Sequence, residues 1–290
     1  MKSWLTRLFL SLSLILAVGS NVSAQGVPIY ALPSAPSIDG NRDDWADVSA
    51  IDIPLEKINP DGTVKTKTIS VRGGTHGDRV FFSLEWEDDS EDAVHKPWVW
   101  DARAGKYVVG SEREDRLAIQ FAMEGPYSTN WRSGAEFKAD TWHWKAFRSN
   151  PFGLAHDKSL VISRSKLLRA YKLESEDGGS LYISRPSDSG DKLYKTKRYR
   201  RFVEPTMPKY VLTDSPQGSV ADVEARGVWS DGKWHLELSR ALLTNNTDDV
   251  AFPRTPASIL GGIAVFDRSE NDDHVISETL TFDFLYRPVR

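Results

Sequence analysis

The sequence predicts an all-β protein, a β-sandwich with long loops and a few short helices. Short runs in which apolar and polar residues alternate, closed off by turn formers, recur along the whole chain. No heptad and no internal repeat interrupts that pattern. Cysteine is absent from all 290 residues, so a core of this size must be held by packing rather than by staples.

The first 24 residues stand outside this fold. Lys2 and Arg7 make a positive start, Leu8 to Val18 an apolar run, and Val22-Ser23-Ala24 a small-residue cleavage site. This reads as a secretory signal peptide, with one domain over residues 25–290. The apolar run is too short to span a bilayer, which takes about 20 residues, and no later segment approaches that length. Export without disulfides fits a bacterial periplasm. Without Lys2 and Arg7 the basic count falls from 37 to 35 against 41 acidic residues, a net charge of −6, which argues against nucleic acid as the partner.

After a Pro- and Ser-rich start, Ile38-Asp39-Gly40 leads through an acidic turn to Trp45. Val64 to Arg72 alternates, with Ile69 and Val71 on one face. Past the Gly77-Asp78 turn, Val80, Phe82, Leu84 and Trp86 alternate with Arg79, Phe81, Ser83 and Glu85, the clearest half-buried strand. Glu87 to Asp92 reads as a solvated acidic loop. Arg116 to Phe121 is a strand that delivers Met123 to a loop. Extended geometry places Trp142 and Trp144 on one face of the next segment, with His143 and Lys145 on the other. Ser159 to Tyr171 holds a strand or a short helix. Residues 172–208 are a long polar excursion that contains the basic run Lys192 to Arg201, a solvated loop or a dock for an acidic partner. Val223 to Trp229 and Trp234 to Leu238 form a hairpin around Asp231-Gly232, and strands at Ile259 to Phe266 and Glu278 to Tyr286 finish the chain.

No G-x-S-x-G, H-E-x-x-H, phosphate loop or dinucleotide fingerprint is present, so the chain carries no recognisable catalytic site of its own. Without cysteine, thiol catalysis, iron–sulfur clusters and covalent haem attachment are excluded. Chemistry concentrates instead between Trp142 and Arg148, where two indoles, an imidazole, an ammonium and a guanidinium fall within seven positions.

Two resemblances add to this reading. The Ile38-Asp39-Gly40 to Trp45 segment is similar to the opening of family 9 carbohydrate-binding modules, which implies that topology for the sandwich. More of the chain, from about residue 38 to 285, resembles the haem-binding domain of the ethylbenzene dehydrogenase type, which includes the γ subunits of dimethylsulfide dehydrogenase, selenate reductase and chlorate reductase. The resemblance rests on Val80 to Trp86, Glu114 to Ile119, Ala139 to Ala146 with Asn150-Pro151-Phe152-Gly153, and Gly227 to Trp234 followed by Arg240-Ala241-Leu242, in that order. It implies one non-covalent haem b held between loops, exchanging electrons with the catalytic and Fe–S subunits of a periplasmic molybdopterin oxidoreductase or with a c-type cytochrome.

In that family a Met and a Lys near the C-terminus hold the iron. Met123 matches the first by order, and after Phe266-Asp267-Arg268 this chain offers His274 in place of the Lys, giving a Met/His pair with His143 and His156 as alternates. Lys145 and Arg148 suit the haem propionates, and Trp142 and Trp144 a flat ligand face. His76 and His95 fall in polar turns and read as solvated; His235 shares a strand face with Glu237 and reads as an exposed or paired residue. The competing reading is a secreted carbohydrate-binding module, with Trp98 and Trp100 stacking on sugar rings. The blandest is a sandwich without a ligand, whose tryptophans are only core.

Overall fold

The alternating runs fold as strands almost everywhere they occur. The structure, a computed structural model, describes residues 24–270 and 273–289; the signal peptide lies outside this range except for Ala24. In chain order the strands are β1 (Gln25–Ala31), β2 (Ile51–Ile58), β3 (Val64–His76), β4 (Arg79–Glu87), β5 (Trp98–Asp101), β6 (Lys106–Val109), β7 (Arg116–Glu124), β8 (Phe137–Lys145), β9 (His156–Ser163), β10 (Tyr171–Glu174), β11 (Ser180–Ser184), β12 (Tyr194–Thr196), β13 (Thr206–Met207), β14 (Tyr210–Leu212), β15 (Glu224–Ser230), β16 (Lys233–Ala241), β17 (Ala257–Phe266), β18 (Val275–Ile276) and β19 (Leu280–Pro288). Among the described residues the short helices are single 3-10 turns at Asp43–Trp45, Asn150–Phe152 and Ser219–Ala221, and no helix is long and apolar enough to cross a membrane.

Two layers make the sandwich. One runs β2-β3-β4-β16-β15, the other β17-β7-β8-β9-β11-β10 with β19 beside β17. β1 closes one edge by pairing in parallel with both β19 and β3, and β18 bridges β17 to β2. The facing sides meet in one apolar core, in which Phe82 lies 5.7 Å from Phe121 and 5.9 Å from Trp142, and Trp144 lies 6.1 Å from Trp86 and 4.9 Å from Trp234. Each fully buried aromatic here contributes on the order of 2–3 kcal/mol by leaving water. Trp142 and Trp144 therefore belong to the core, the blander of the two readings open to them.

β4 departs from the half-buried expectation. Phe81 and Ser83 on its outer face are also buried, because Leu32, Trp45 and Val48 of the N-terminal segment pack over Phe81. That segment is pinned by Glu237 of β16, whose carboxylate accepts from Trp45 Nε1 (2.8 Å) and from the backbone N–H groups of Asp39 and Gly40. β7 runs three residues further than expected, so Met123 lies within a strand and not in a loop. The acidic stretch after β4 is not simply solvated either, since Asp88 is 3% exposed and faces Lys67 at 3.9 Å.

The motifs scattered along the chain converge between the two layers. Asn150 Oδ1 accepts from Trp144 Nε1 (3.0 Å) and Gly227 N (2.8 Å), while its amide donates to Gly227 O. A side chain at Gly227 would run into the Trp144 indole, so β15 can lie over β8 only with glycine there. Also across the layers, Arg240 Nη1 donates to Asp140 (2.7 Å) and Asp157 (3.0 Å) with Asp249 at 3.4 Å, all essentially buried. Burial raises the Asp157 carboxyl well above the usual carboxylate range, and the neighbouring Asp140 raises it further.

Candidate functional site

The outer face of the second layer carries the site. Strand alternation that sends Leu117, Ile119, Trp142 and Trp144 inward sends their neighbours outward. Register then lines them up across four strands: Phe266, Arg116 and Lys145 in one row; Ala264, Ala118, His143 and His156 in the next; Gly262, Gln120, Thr141 and Lys158 in the third. A cavity of about 250 Å³ opens over these rows. Small residues (Gly262, Ala264 and Ala118) meet at its floor, and Trp131, Arg185, Tyr194, His274 and Ile276 complete its walls.

Three histidines reach it. His143 rises from the middle of β8, its ring stacked on Phe266 at 5.7 Å and 28°, and its Nε2 is buried without a hydrogen-bond partner. Burial, with Lys145 close by, pushes its pKa well below the ordinary histidine value, leaving a neutral imidazole with a lone pair. His274 comes from the connection between β17 and β18 and packs on the same phenyl ring at 4.6 Å. His156 is turned to other partners: Lys145 Nζ donates to its Nδ1 (2.6 Å), and its Nε2 lies 2.8 Å from Ser187 Oγ.

Cations dominate the lining. Arg116, Lys145, Arg148, Lys158 and Arg185 all border the cavity, and among the described residues no carboxylate does. Arg148 is answered from behind by Glu114, which also accepts from the backbone N–H groups of Phe147 and Arg148. Arg116 lies over the Phe266 ring (4.3 Å) and donates to Ser269 O (2.6 Å). Arg185 rests on Trp131 and Tyr171. Burial and the Arg185 charge bring Lys158 down to about 8, and burial with Arg148 nearby holds Lys145 well below the lysine range. The site is thus built to receive negative charge on a flat, partly apolar body.

Of the residues singled out from sequence, the fold brings His143, His156, His274, Lys145 and Arg148 to one cavity. Met123 is not among its lining; it packs against the main core, on the side of β7 that carries Phe121. Strand alternation from Ile119 and Phe121 sets that direction, away from the cavity that His274 lines. His95 is not solvated: it is 6% exposed, 3.4 Å from Glu114 and 5.6 Å from the Tyr210 ring. His76 is exposed, and His235 pairs with Glu85 at 3.0 Å. Trp98 and Trp100 sit on β5, engaged with Lys197 O and with Tyr107 and Phe202. Sequence reasoning missed Arg116 and Lys158, whose only signal was their place opposite core residues in alternating strands, and Arg185, which follows the end of β11.

A mainly antiparallel sandwich with a cationic, histidine-lined cavity on one outer face is the class of protein that these features define. A family model described as ethylbenzene dehydrogenase matches residues 42–276, and the chain belongs to that family. No curated protein is significantly similar to it in sequence. Among solved structures, a candidate carbohydrate-binding protein from Bacteroides uniformis is similar at 10% identity and TM-score 0.44, covering 90% of this chain and all of that one. A family 9 carbohydrate-binding module from Caldicellulosiruptor kristjanssonii in complex with glucose is similar at 9% identity and TM-score 0.37, covering 87% and 85%.

Proposed function

We propose that the chain is an exported, periplasmic electron carrier that holds one haem b in this cavity and serves a molybdopterin oxidoreductase, through its Fe–S subunit or a c-type cytochrome. The observation that supports it most is the His143 Nε2, buried and unpartnered on a neutral imidazole, in a cavity with a small-residue floor that His274 also lines. Imidazole nitrogen is an ordinary axial donor, and the Met123 sulfur is not at hand, so His143 and His274 are the proposed iron ligands. Haem would supply a one-electron couple. This chain's residues do the rest: Lys145, Arg148, Lys158 and Arg185 neutralise propionates, Phe266 and Ile276 exclude water, and Glu114 fixes the Arg148 guanidinium. A cavity of about 250 Å³ would enclose only part of a porphyrin, and an uncovered edge would be open to a redox partner.

Reconstitution of the mature protein with haem, followed by visible and EPR spectra, tests this. The expected outcome is a Soret band and a low-spin signal in the wild type, lost in His143→Ala and in His274→Ala and retained in Met123→Ala. A wild-type protein that takes up no haem removes the reading. Loss of the low-spin signal in Met123→Ala alone returns the sulfur to the iron.

A further inference from the structure

Beside the cavity stands a small lobe made of the β5-β6-β13 sheet and the β12–β14 ribbon. It joins the site through Tyr194 of β12, which lines the cavity and accepts from Arg148 Nη1 (3.3 Å). Its surface differs from that of the rest of the chain in two independent ways. Lys192, Lys195, Lys197, Arg198, Arg200 and Arg201 are all exposed, and none takes part in any ion pair among the described residues. In a chain of net charge −4, so many unanswered cations in ten positions are a marked concentration. Among the described residues, five of the twelve large apolar side chains left exposed, Val108, Val109, Phe202, Val203 and Val211, also lie on this lobe.

The lobe is not a loose solvated loop. Trp98 Nε1 donates to Lys197 O (2.7 Å), Tyr107 Oη donates to Glu204 O (2.7 Å) and accepts from Val203 N (3.0 Å), and Trp100 packs edge-on to Tyr107 and Phe202. Apolar side chains among arginines and aromatics on a preorganised surface are the composition of a protein interface. Charge selects the occupant. The remainder of the molecule is acidic, so an extended anionic surface such as a membrane meets repulsion beyond the lobe, whereas a protein with a local acidic face can touch the lobe alone within a Debye length of about 8 Å.

We propose that this lobe is the docking face for an acidic protein partner, the one that exchanges electrons through the adjacent cavity. This rests on the haem reading for the electron exchange, and on the surface alone for the docking. The probes are flavodoxin, an acidic redox protein without haem, and vesicles of phosphatidylglycerol, offered to the haem-loaded wild type and to a Lys195→Glu, Lys197→Glu, Arg200→Glu, Arg201→Glu variant. The wild type is expected to bind flavodoxin at low salt, at least about tenfold more tightly than the variant does and than it does itself at about 300 mM salt. Phe202→Ser is expected to weaken binding by about threefold to tenfold while leaving the salt dependence unchanged, since it removes apolar contact and no charge. Equal binding by wild type and variant, or no binding by either, overturns the proposal, as does vesicle binding that the charge reversals abolish while flavodoxin is ignored. The Soret band reports separately: its absence with flavodoxin binding intact tells against the haem and leaves the docking face standing.

Discussion

At the level of single residues, the fold decides what each polar side chain can be. His95 looks like a turn residue in sequence and is in fact enclosed between Glu114, Tyr210 and the second layer. Burial and the charges of Arg148 and Arg116 push it down to about 2, so it stays neutral in the folded chain, whereas in the unfolded chain it takes a proton near 6.5. The unfolded state then binds more protons below that pH, and stability falls on acidification by up to about 1.4 kcal/mol per pH unit. His95→Gln is expected to flatten that component, read as a smaller change in urea midpoint between about pH 7 and about pH 5. Arg240 makes the opposite point. Its type and position were visible as part of a motif, but its partners Asp140 and Asp157 come from the neighbouring strands β8 and β9, far away in sequence, and Asp249 from the loop that follows it. Arg240→Leu is expected to cost about 3–5 kcal/mol in chemical denaturation, because it strands buried carboxylates. Met123 was legible only as a methionine near the end of a strand. That it faces the core follows only once β7 is known to run on to Glu124, which places Met123 in register with Phe121.

Among the elements, β8 was the most legible and the most informative. Alternation alone put Trp142 and Trp144 opposite His143 and Lys145, and the fold keeps that division, indoles in the core and imidazole in the cavity. What alternation could not supply was the floor. Ala118 and Ala264 carry no signal as isolated alanines; they matter because register sets them beside His143 in one row. Ala118→Leu is expected to fill the cavity and abolish the Soret band on reconstitution, with the far-UV spectrum unchanged and a stability loss of no more than about 1–3 kcal/mol. The neighbouring β15 has its own constraint: Gly227→Ala pushes β15 off Trp144 and is expected to lower the melting temperature measurably without touching the cavity lining.

For the whole molecule, the sandwich was readable because strands and turns follow local rules, while long-range pairing, the second burial of β4 and the lobe beside the cavity depend on where segments meet. If two imidazoles hold the iron, the couple lies lower in potential than the Met/His pair expected from sequence, since thioether ligation raises it. Potentiometric titration of the reconstituted protein should place the wild type below any variant in which methionine is installed at His274. One further feature shapes the life of the chain before it works. β1 pairs with β19 from Gln25 opposite Leu280 onward, joining the two ends across nearly the whole sequence. Such distant pairing is slow to find, so the sandwich cannot seal until its last strand has been made and delivered, and until then the open edges of both strands must be kept from other chains.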